Sequence, residues 1–380
     1  MKKVVVAMDS FKGSLSSEEA GEAVKKGVLS VFPDCNVLQF PVADGGEGVL
    51  EVLVSAMRGE YISVHVHNPL MELIETRYGI SGDGKTALIE MALVNGLTLI
   101  PIFERNPMQT TSFGLGELVK NALDRGCRDF IIGIGGSATN DAGLGMLQAL
   151  GFHFFDKNGK ELGMGGKIMP EVTSIDLSLA HPALKHACFT IACDVNNPFC
   201  GPNGATYVFA PQKGADANML QKLDSGMFSL SKVIAETTGQ NIIDYPGAGA
   251  AGGIGGVFRA FLNAILKPGI QLLLDKLDFM EKIKDADLII TGEGKVDKQT
   301  LMGKVPFGIL EEAKKQNIPV VVIAGSMEDT AVLNEAGFKA IFSITPGPVS
   351  LEEITMPNTA KANVFRLSSQ ICSVISLFNK

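Results

Sequence analysis

The sequence of 380 residues has no C-x-x-C pair, no excess of basic residues and no long apolar run. Six cysteines without that spacing favour reduced thiols over a zinc site or disulfide bonds. A net charge of −8 argues against nucleic acid as the main partner, because phosphate backbones require a basic surface. No stretch approaches the length of a membrane span, and the apolar run before Asp9 is too short for a signal peptide. We therefore expect a cytoplasmic protein that binds neither nucleic acid nor a membrane.

Histidine is also scarce, and none of the 5 histidines lies in a glycine-rich turn. His65 and His67 point to one side of a predicted strand, for which a half-exposed strand is a better interpretation than a metal pair. The chemistry is therefore expected to depend on carboxylates and lysines. A small anionic substrate remains compatible with the acidic chain, since a few local lysines can outweigh the overall charge.

Both ends of the chain alternate buried strands with amphipathic helices, as in a doubly wound α/β sheet. The first helix is predicted to begin with a capping box from Ser16 to Glu19. The middle is richer in glycine and hairpin signals. We therefore predict an α/β fold in which a Rossmann-like parallel-sheet domain, residues 1–71 and 275–380, carries an inserted α/β domain, residues 72–274. Ligands are expected in the cleft between the two domains.

Three segments match nucleotide-binding patterns, which need a strand before them and a helix after them. "GISGDGKT", residues 79–86, fits the P-loop pattern, but the alternation of "IETRYGI" and the Asp83-Gly84 turn favour a hairpin. "ALIEMAL" after it could also form a helix. "GAGAAG", residues 247–252, fits G-x-G-x-x-G and precedes a helix. Gly249 and Gly252 there could bind an anion at the helix start, or could serve close helix packing.

The third match is "FIIGIGGSATNDAGLG", residues 130–145, in which Gly133, Gly135 and Ala138 fit the dinucleotide fingerprint. Asp156 would then approach the ribose, and the protein would be an NAD-dependent oxidoreductase. However, a dinucleotide loop needs small apolar residues, whereas four polar side chains crowd this turn: Ser137, Thr139, Asn140 and Asp141. Such side chains beside a helix start suit a phosphate or a small polyol acid directly.

Acidic and polar side chains follow four predicted strands, at the edge where parallel sheets bind ligands. They are Asp9, Ser10, Lys12 and Ser14; Asp44 and Glu47; Asp194, Asn196 and Asn197; and Glu293, Lys295, Asp297, Gln299, Thr300 and Lys304. Capping could explain any single carboxylate, but four such strand ends suggest a site. Carboxylates that hold Mg²⁺, glycine turns around phosphates and lysines that neutralise charge are the parts of a phosphoryl-transfer site.

Seven motifs in order along the chain resemble those of the type 1 glycerate kinases. They are "DSFKGSLS", "PVADGGEG", "IGIGGSATND", "CDVNNP", "PQKGA", "GAGAAGG" and "TGEGKVDKQT". The resemblance covers nearly the whole chain and implies an ATP-dependent kinase of D-glycerate with a two-domain α/β fold. Phosphorylation at the 2-position is favoured by this likeness alone. The chain departs from the common family pattern at Ala142, Val49 and Ala210.

On this reading Lys12 is expected to contact a phosphate or the glycerate carboxylate, and Asp194 to act as the base for the glycerate hydroxyl. Asp297 is the second candidate for the base and is favoured as a Mg²⁺ ligand, with Asp44 as another. Substrate binding is assigned to Asp9, Ser10, Asp44, Glu47, Ser137, Thr139, Asn140 and Asp141, and ATP binding to Gly249, Gly252, Gly292, Glu293 and Gly294. A homodimer is an open possibility for the assembly.

Overall fold

A computed structural model describes residues 1–11, 13–43 and 48–378. Its strands are β1 Lys3–Met8, β2 Asn36–Gln39, β3 Glu60–His67, β4 Leu73–Ile80, β5 Thr86–Glu90, β6 Asp129–Gly133, β7 His153–Phe155, β8 Ser174–Asp176, β9 Cys188–Ala192, β10 Ile265–Lys267, β11 Leu288–Val296, β12 Val320–Met327 and β13 Ala340–Ser343. Its helices are α1 Ser17–Val31, α2 Val49–Ala56, α3 Ala92–Asn95, α4 Phe113–Asp124, α5 Leu144–Ala149, α6 Ala205–Phe209, α7 Ala217–Thr238, α8 Ala250–Leu262, α9 Gly269–Lys276, α10 Phe279–Lys282, α11 Val305–Lys314, α12 Thr330–Ala336, α13 Leu351–Thr355 and α14 Pro357–Ser376.

The chain divides into two compact units, residues 1–44 with 270–380 and residues 45–269. The first unit holds a parallel sheet in the order β13-β12-β11-β1-β2. β1 is buried along most of its length because helices cover both faces of such a sheet, which explains its continuous run of valines. α1 begins at the predicted capping box, in which Ser16 and Glu19 each bond the backbone of the other.

The second unit holds a six-stranded sheet in the order β10-β9-β6-β5-β4-β3 and a small antiparallel pair, β7 and β8. β10, β9, β6 and β5 run parallel to one another. β4 pairs antiparallel with β5 on one side and with β3 on the other. β4 and β5 are joined by a turn and pair directly, so "GISGDGKT" is the predicted hairpin and no P-loop. The predicted mixed α/β architecture of two domains is confirmed.

The boundary between the units lies at residues 44/45 and 269/270, whereas the sequence suggested 71/72 and 274/275. The difference has a physical cause, because β3 pairs with β4 along its full length and so belongs to the second sheet. α2 belongs there too, since a Cβ on Gly79 of β4 would lie 2.3 Å from Val54 Cγ2. An alternating strand such as β3 does not reveal from its own sequence which sheet it joins.

No helix in the described ranges is both long and apolar enough to cross a bilayer. All six cysteines are free thiols.

Candidate functional site

Two acidic side chains lie on neighbouring parallel strands of the first unit: Asp9 directly follows β1, whereas Glu293 lies within β11, which continues to Val296 instead of ending before Glu293 as the sequence suggested. Met8 of β1 is in register with Gly292 of β11, so Asp9 and Glu293 stand side by side at one edge of the sheet. The Asp9 amide donates to the Gly292 carbonyl at 2.9 Å, and both carboxylates belong to residues that are only 7% exposed. The Ser10 amide donates to Asp9 Oδ1 at 2.7 Å. The structure therefore brings Asp9 and Glu293 together at this edge, and their roles in a site stay a prediction.

Glu293 connects this edge to the turn that follows β11. Thr300 Oγ1 donates to Glu293 Oε1 at 2.8 Å, and Lys304 Nζ lies 3.3 Å from Glu293 Oε2. The Lys304 side chain retains about a third of its exposure, so its ammonium reaches the surface beside a nearly buried carboxylate. Oppositely charged groups in this arrangement suit a site that must both hold a cation and neutralise phosphate charge.

Asp297 caps the 3₁₀ turn Lys298–Met302. Its Oδ1 accepts the Gln299 amide at 2.8 Å, and its Oδ2 lies 3.6 Å from Lys295 Nζ. A carboxylate with one oxygen used in a cap and the other facing an exposed lysine keeps lone pairs available for a metal ion.

Gly292 is required by packing between strands. A Cβ at Gly292 would lie 1.8 Å from the Ile323 carbonyl oxygen of β12. The Gly294 carbonyl similarly lies 2.5 Å from where a Cβ would stand on Gly325. Gly292 and Gly325 therefore permit close strand approach, and the role of Gly292 and Gly294 in ATP binding stays a prediction. Three other predicted site residues, Lys12, Asp44 and Glu47, lie outside the described residues.

In the second unit, the loop of residues 134–143 follows β6 and is held by the neighbouring chain. The Leu97 amide donates to the Gly136 carbonyl at 2.9 Å, and the Ala138 amide donates to the Asn95 carbonyl at 2.8 Å. Ser137 and Thr139 in this loop are 7% and 0% exposed. The polar loop is thus an ordered, largely buried structure at the carboxyl end of the sheet.

Lys213, which the sequence reasoning did not assign, lies directly on this loop. Its side chain is 2% exposed, and its Nζ donates to Ser137 Oγ at 2.8 Å and to the Thr139 carbonyl at 2.7 Å. Burial lowers the pKa of Lys213 to about 7, and the charge of Asp141 opposes that shift only in part. The available signal was the "PQKGA" motif, in which a lysine precedes a glycine with φ of 92°.

Asp141 is held inside the unit. Its Oδ2 accepts from the Ser112 amide at 2.8 Å, the Ser112 hydroxyl at 2.9 Å and the Gly145 amide at 3.2 Å. Its Oδ1 accepts from the Gly143 amide at 3.1 Å. A fully buried carboxylate with four such donors organises the start of α5. The predicted substrate contact of Asp141 stays a prediction, and its visible role is structural.

Asn140 also faces the interior. Its Nδ2 donates to Thr206 Oγ1 at 3.2 Å, and the residue is completely buried. Asn140 Oδ1 and Thr139 Oγ1 are buried atoms without a hydrogen-bond partner in the described chain. Buried polar atoms without a partner are rare in folded proteins and often mark water or ligand sites.

Gly249 precedes α8 and Gly252 lies in its first turn, and each is packed against a neighbouring backbone. Gly252 has φ of 71°, and a Cβ there would lie 2.2 Å from the Thr139 carbonyl oxygen. A Cβ at Gly249 would lie 2.2 Å from the Pro198 carbonyl oxygen. Of the two interpretations of "GAGAAG", these contacts favour close packing, because each glycine is accounted for by a neighbouring backbone.

Asp194 follows β9 and is exposed. Its Oδ1 accepts the amide of Gly269, the first residue of α9, at 2.8 Å. The strand before it is largely buried up to Ala192, and the chain then turns to the surface, so the role of Asp194 as the base stays a prediction. Glu90 at the end of β5 is a further acidic residue that the sequence reasoning did not assign. It is 3% exposed, and its Oε2 accepts the Leu50 amide at 3.2 Å.

The dinucleotide interpretation of residues 133–138 is not supported. Residues 134–143 form a loop before a helix of only six residues, α5, rather than passing at once into a long helix. Asp156 lies in an exposed turn after β7, where its Oδ1 accepts the amides of Asn158 at 2.8 Å and Lys160 at 2.9 Å. These bonds lower the pKa of Asp156, and they give its carboxylate a local turn function.

The two histidines singled out in the sequence both lie on β3. His65 is exposed on β3, and His67 Nδ1 lies 3.0 Å from Glu117 Oε1. No group of three or more histidine, cysteine or acidic side chains is arranged for a metal within residues 1–11, 13–43 and 48–378. A Mg²⁺ ion in a phosphoryl-transfer site needs only one or two carboxylates besides the phosphates and water.

Comparison with known proteins gives one consistent result. A sequence model described as the glycerate kinase family matches residues 4–376. The chain is 48% identical to a glycerate kinase of Bacillus subtilis (strain 168), over 92% of both chains. It is 45% identical to a glycerate 2-kinase of Escherichia coli (strain K12), over 99% of this chain and 98% of the relative. A crystal structure of a Salmonella typhimurium LT2 protein assigned as glycerate kinase 2 matches with a TM-score of 0.89 and 41% identity, over 100% of this chain and 99% of that one.

Proposed function

The chain belongs to the glycerate kinase family, and from this premise we propose that it transfers the terminal phosphoryl group of ATP to D-glycerate, giving 2-phospho-D-glycerate and ADP. The observation that carries the proposal is the match to the family over residues 4–376, because it includes every strand end that carries the candidate site. The family assignment confirms the prediction from the seven motifs, and the oxidoreductase alternative falls with it.

The edge of the first unit supplies the chemistry that Mg–ATP requires. Asp297 and Glu293 offer carboxylate oxygens, which Mg²⁺ prefers, and Lys304 and Lys295 offer charge for phosphate oxygens. Bound Mg²⁺ would neutralise charge on the phosphates. We assign Asp297 as the favoured metal ligand because its carboxylate is held in place by its own turn. Asp44 and Lys12 keep their proposed roles as a second metal ligand and a phosphate or glycerate contact.

The loop of the second unit is proposed to bind the acid. Ser137 and Thr139 provide hydroxyls, and Lys213 provides charge behind them. Asp194 is proposed as the base that accepts the glycerate hydroxyl proton, since it is an exposed carboxylate at the same edge of the sheet as that loop. Asp194 Oδ1 accepts a hydrogen bond from the Gly269 amide, and this bond holds the carboxylate in place.

Catalysis is proposed to need residues of both units, because the carboxylates and lysines proposed for Mg–ATP lie in the first unit, whereas the polar loop and Asp194 lie in the second. The enzyme is also proposed to be cytoplasmic, because its six cysteines are free thiols. Light scattering would test whether it forms a homodimer.

A coupled assay of ADP formation with D-glycerate, ATP and Mg²⁺ tests the activity. We expect turnover that requires all three, and no reduction of NAD with D-glycerate. The absence of D-glycerate-dependent ADP formation would overturn the proposal. Phosphorus NMR of the product separates 2-phosphoglycerate from 3-phosphoglycerate, and the similarity to a protein named glycerate 2-kinase supports the former.

A further inference from the structure

Lys213 is a buried cation without an ion pair. Its side chain is 2% exposed, and both hydrogen bonds of its Nζ go to uncharged oxygens, Ser137 Oγ and the Thr139 carbonyl. In the described part of the chain it forms no salt bridge with a carboxylate. Burying an unpaired ammonium is costly, so such a group either loses its proton or meets an anion. Its pKa is lowered to about 7, so the protonated and the neutral form have similar free energies near neutral pH.

The charged groups around Lys213 do not provide the missing anion. Asp141 is the nearby carboxylate, but its oxygens already accept from the chain around Ser112 and α5. Arg105 adds a second positive charge next to the Lys213 turn, where its guanidinium donates to the carbonyls of Gln212, Ile100 and Leu97. Tyr207 on α6 is 39% exposed. Arg105 therefore adds positive charge, and the Asp141 carboxylate is already occupied.

The loop above Lys213 also presents donors that lack acceptors. The backbone amides of Ser137, Thr139 and Asn140 have no hydrogen-bond acceptor among the described residues. Thr139 Oγ1 is buried and has no partner there either. Buried amides are almost always satisfied by protein, water or ligand. An oxyanion would accept hydrogen bonds from these amides and would also balance the charge of Lys213.

We propose that Lys213 is the positioning residue for an oxyanion bound on the Ser137–Asp141 loop, either the carboxylate of D-glycerate or a phosphate group of ATP. The assignment rests on the proposed function of the loop. Ser137 Oγ accepts a hydrogen bond from Lys213 Nζ, so the Ser137 hydroxyl is left to donate its own hydrogen bond to the ligand. Ser137 keeps 7% exposure, which allows its hydroxyl to reach a ligand that Lys213 does not touch.

The arrangement links anion binding to protonation. A bound anion favours the ammonium form, so the pKa of Lys213 rises from about 7 when the ligand binds. Affinity is then greatest below pH 7 and falls by up to about tenfold for each pH unit above it, until the pKa of the complex is reached.

Calorimetric titrations with D-glycerate alone and with Mg–ATP alone test the proposal. Each is performed below pH 7 and above it, on the wild type and on Lys213→Met, Lys213→Arg and Lys222→Met. Arginine keeps the charge at every pH used, and Lys222 is an exposed lysine on α7 that serves as the matched control. Thermal melts of all four proteins show whether the fold is retained.

For one of the two ligands we expect Lys213→Met to weaken binding by at least about tenfold and to abolish the pH dependence. Lys213→Arg should bind without that pH dependence, and Lys222→Met should behave as the wild type. The ligand affected identifies the oxyanion as carboxylate or phosphate. Unchanged binding of both ligands by a folded Lys213→Met, or a wild type that binds neither ligand, would overturn the proposal. A wild type that shows Lys213-dependent binding without turnover would instead overturn the proposed kinase function.

Discussion

At the scale of single residues, burial separates acidic side chains that look alike in the sequence. Asp141 and Asp156 were both singled out in the sequence, one as a substrate ligand and one as a possible ribose contact. Asp141 is completely buried with four donors, whereas Asp156 caps an exposed turn. Residue type and spacing were the same kind of evidence for both, so the sequence could not separate them.

We predict that Asp141→Asn lowers the free energy of unfolding by about 3 kcal/mol, because an amide nitrogen would face donors that now meet a carboxylate. Urea denaturation measures the change, and Asp156→Asn is the control in an exposed turn, with a much smaller expected effect. An Asp141→Asn protein that is as stable as the wild type but fails to bind glycerate would show a direct ligand role.

Lys213 gives a prediction about stability and pH. Its pKa is about 7 in the folded protein and near 10.5 in the unfolded chain, so the unfolded chain binds the extra proton between these values. The free energy of unfolding therefore gains a contribution that rises with pH across this window, by up to about 1.4 kcal/mol per unit.

The measurement is the difference between wild type and Lys213→Met in urea unfolding at about pH 7 and about pH 9. The difference should shift in favour of the wild type at the higher pH, and Lys222→Met should show no such shift. Taking the difference removes the opposing contribution of buried Cys193 and Cys200, whose pKa values burial raises to about 11. A difference that stays constant with pH would contradict the assignment.

At the scale of elements, glycine patterns are ambiguous until the neighbouring backbone is known. "GISGDGKT" satisfies a P-loop pattern yet joins β4 to β5 as a hairpin. "GAGAAG" satisfies a fingerprint yet packs against the Thr139 carbonyl. Both patterns describe backbone freedom, which hairpins, helix packing and phosphate loops all need.

We predict that Gly252→Ala destabilises the protein by more than about 3 kcal/mol, because its Cβ would overlap the Thr139 carbonyl. Gly239→Ala is the matched control, since Gly239 has a similar φ of 73° at the end of α7 but open space around its Cβ. Strain alone should cost that variant about 1 kcal/mol. Thermal unfolding measures both, and equal losses would show that the conformation matters and the contact does not.

Asp297, which caps the 3₁₀ turn after β11, is the proposed metal ligand. Asp297→Asn keeps an oxygen to accept the Gln299 amide but removes the charge, so we expect a near-normal melting temperature with turnover reduced by at least about 10²-fold. Asp176→Asn is the control, because Asp176 Oδ1 accepts the Ser178 amide at the same 2.8 Å in an unrelated turn. The Km for Mg–ATP should rise only in the first variant. Normal turnover in Asp297→Asn would remove it from the site.

At the scale of the whole molecule, the proposal divides the work between two units, with Mg–ATP on one and the acid and base on the other. We predict that Asp194→Asn reduces phosphoryl transfer by at least about 10²-fold while Mg–ATP still binds, because an amide cannot accept the hydroxyl proton. Single-turnover kinetics and calorimetry measure the two quantities. Asp224→Asn is the control, since Asp224 Oδ1 accepts the Gly201 amide at the same 2.8 Å. Loss of Mg–ATP binding in Asp194→Asn would make Asp194 a metal ligand.

The sequence by itself determined the α/β class, the hairpin at Asp83-Gly84, the capping box at Ser16 and the family, because each depends on local periodicity, local turn chemistry or an ordered set of motifs. Only the tertiary structure decided which sheet β3 joins, that the Asp141 carboxylate is buried and accepts from the Ser112 amide, and that Lys213 lies under the Ser137 loop. These facts depend on contacts between residues far apart in the chain, as Lys213 and Ser137 are. The cost of burying a charge is a property of its surroundings, which appear only when the chain has folded.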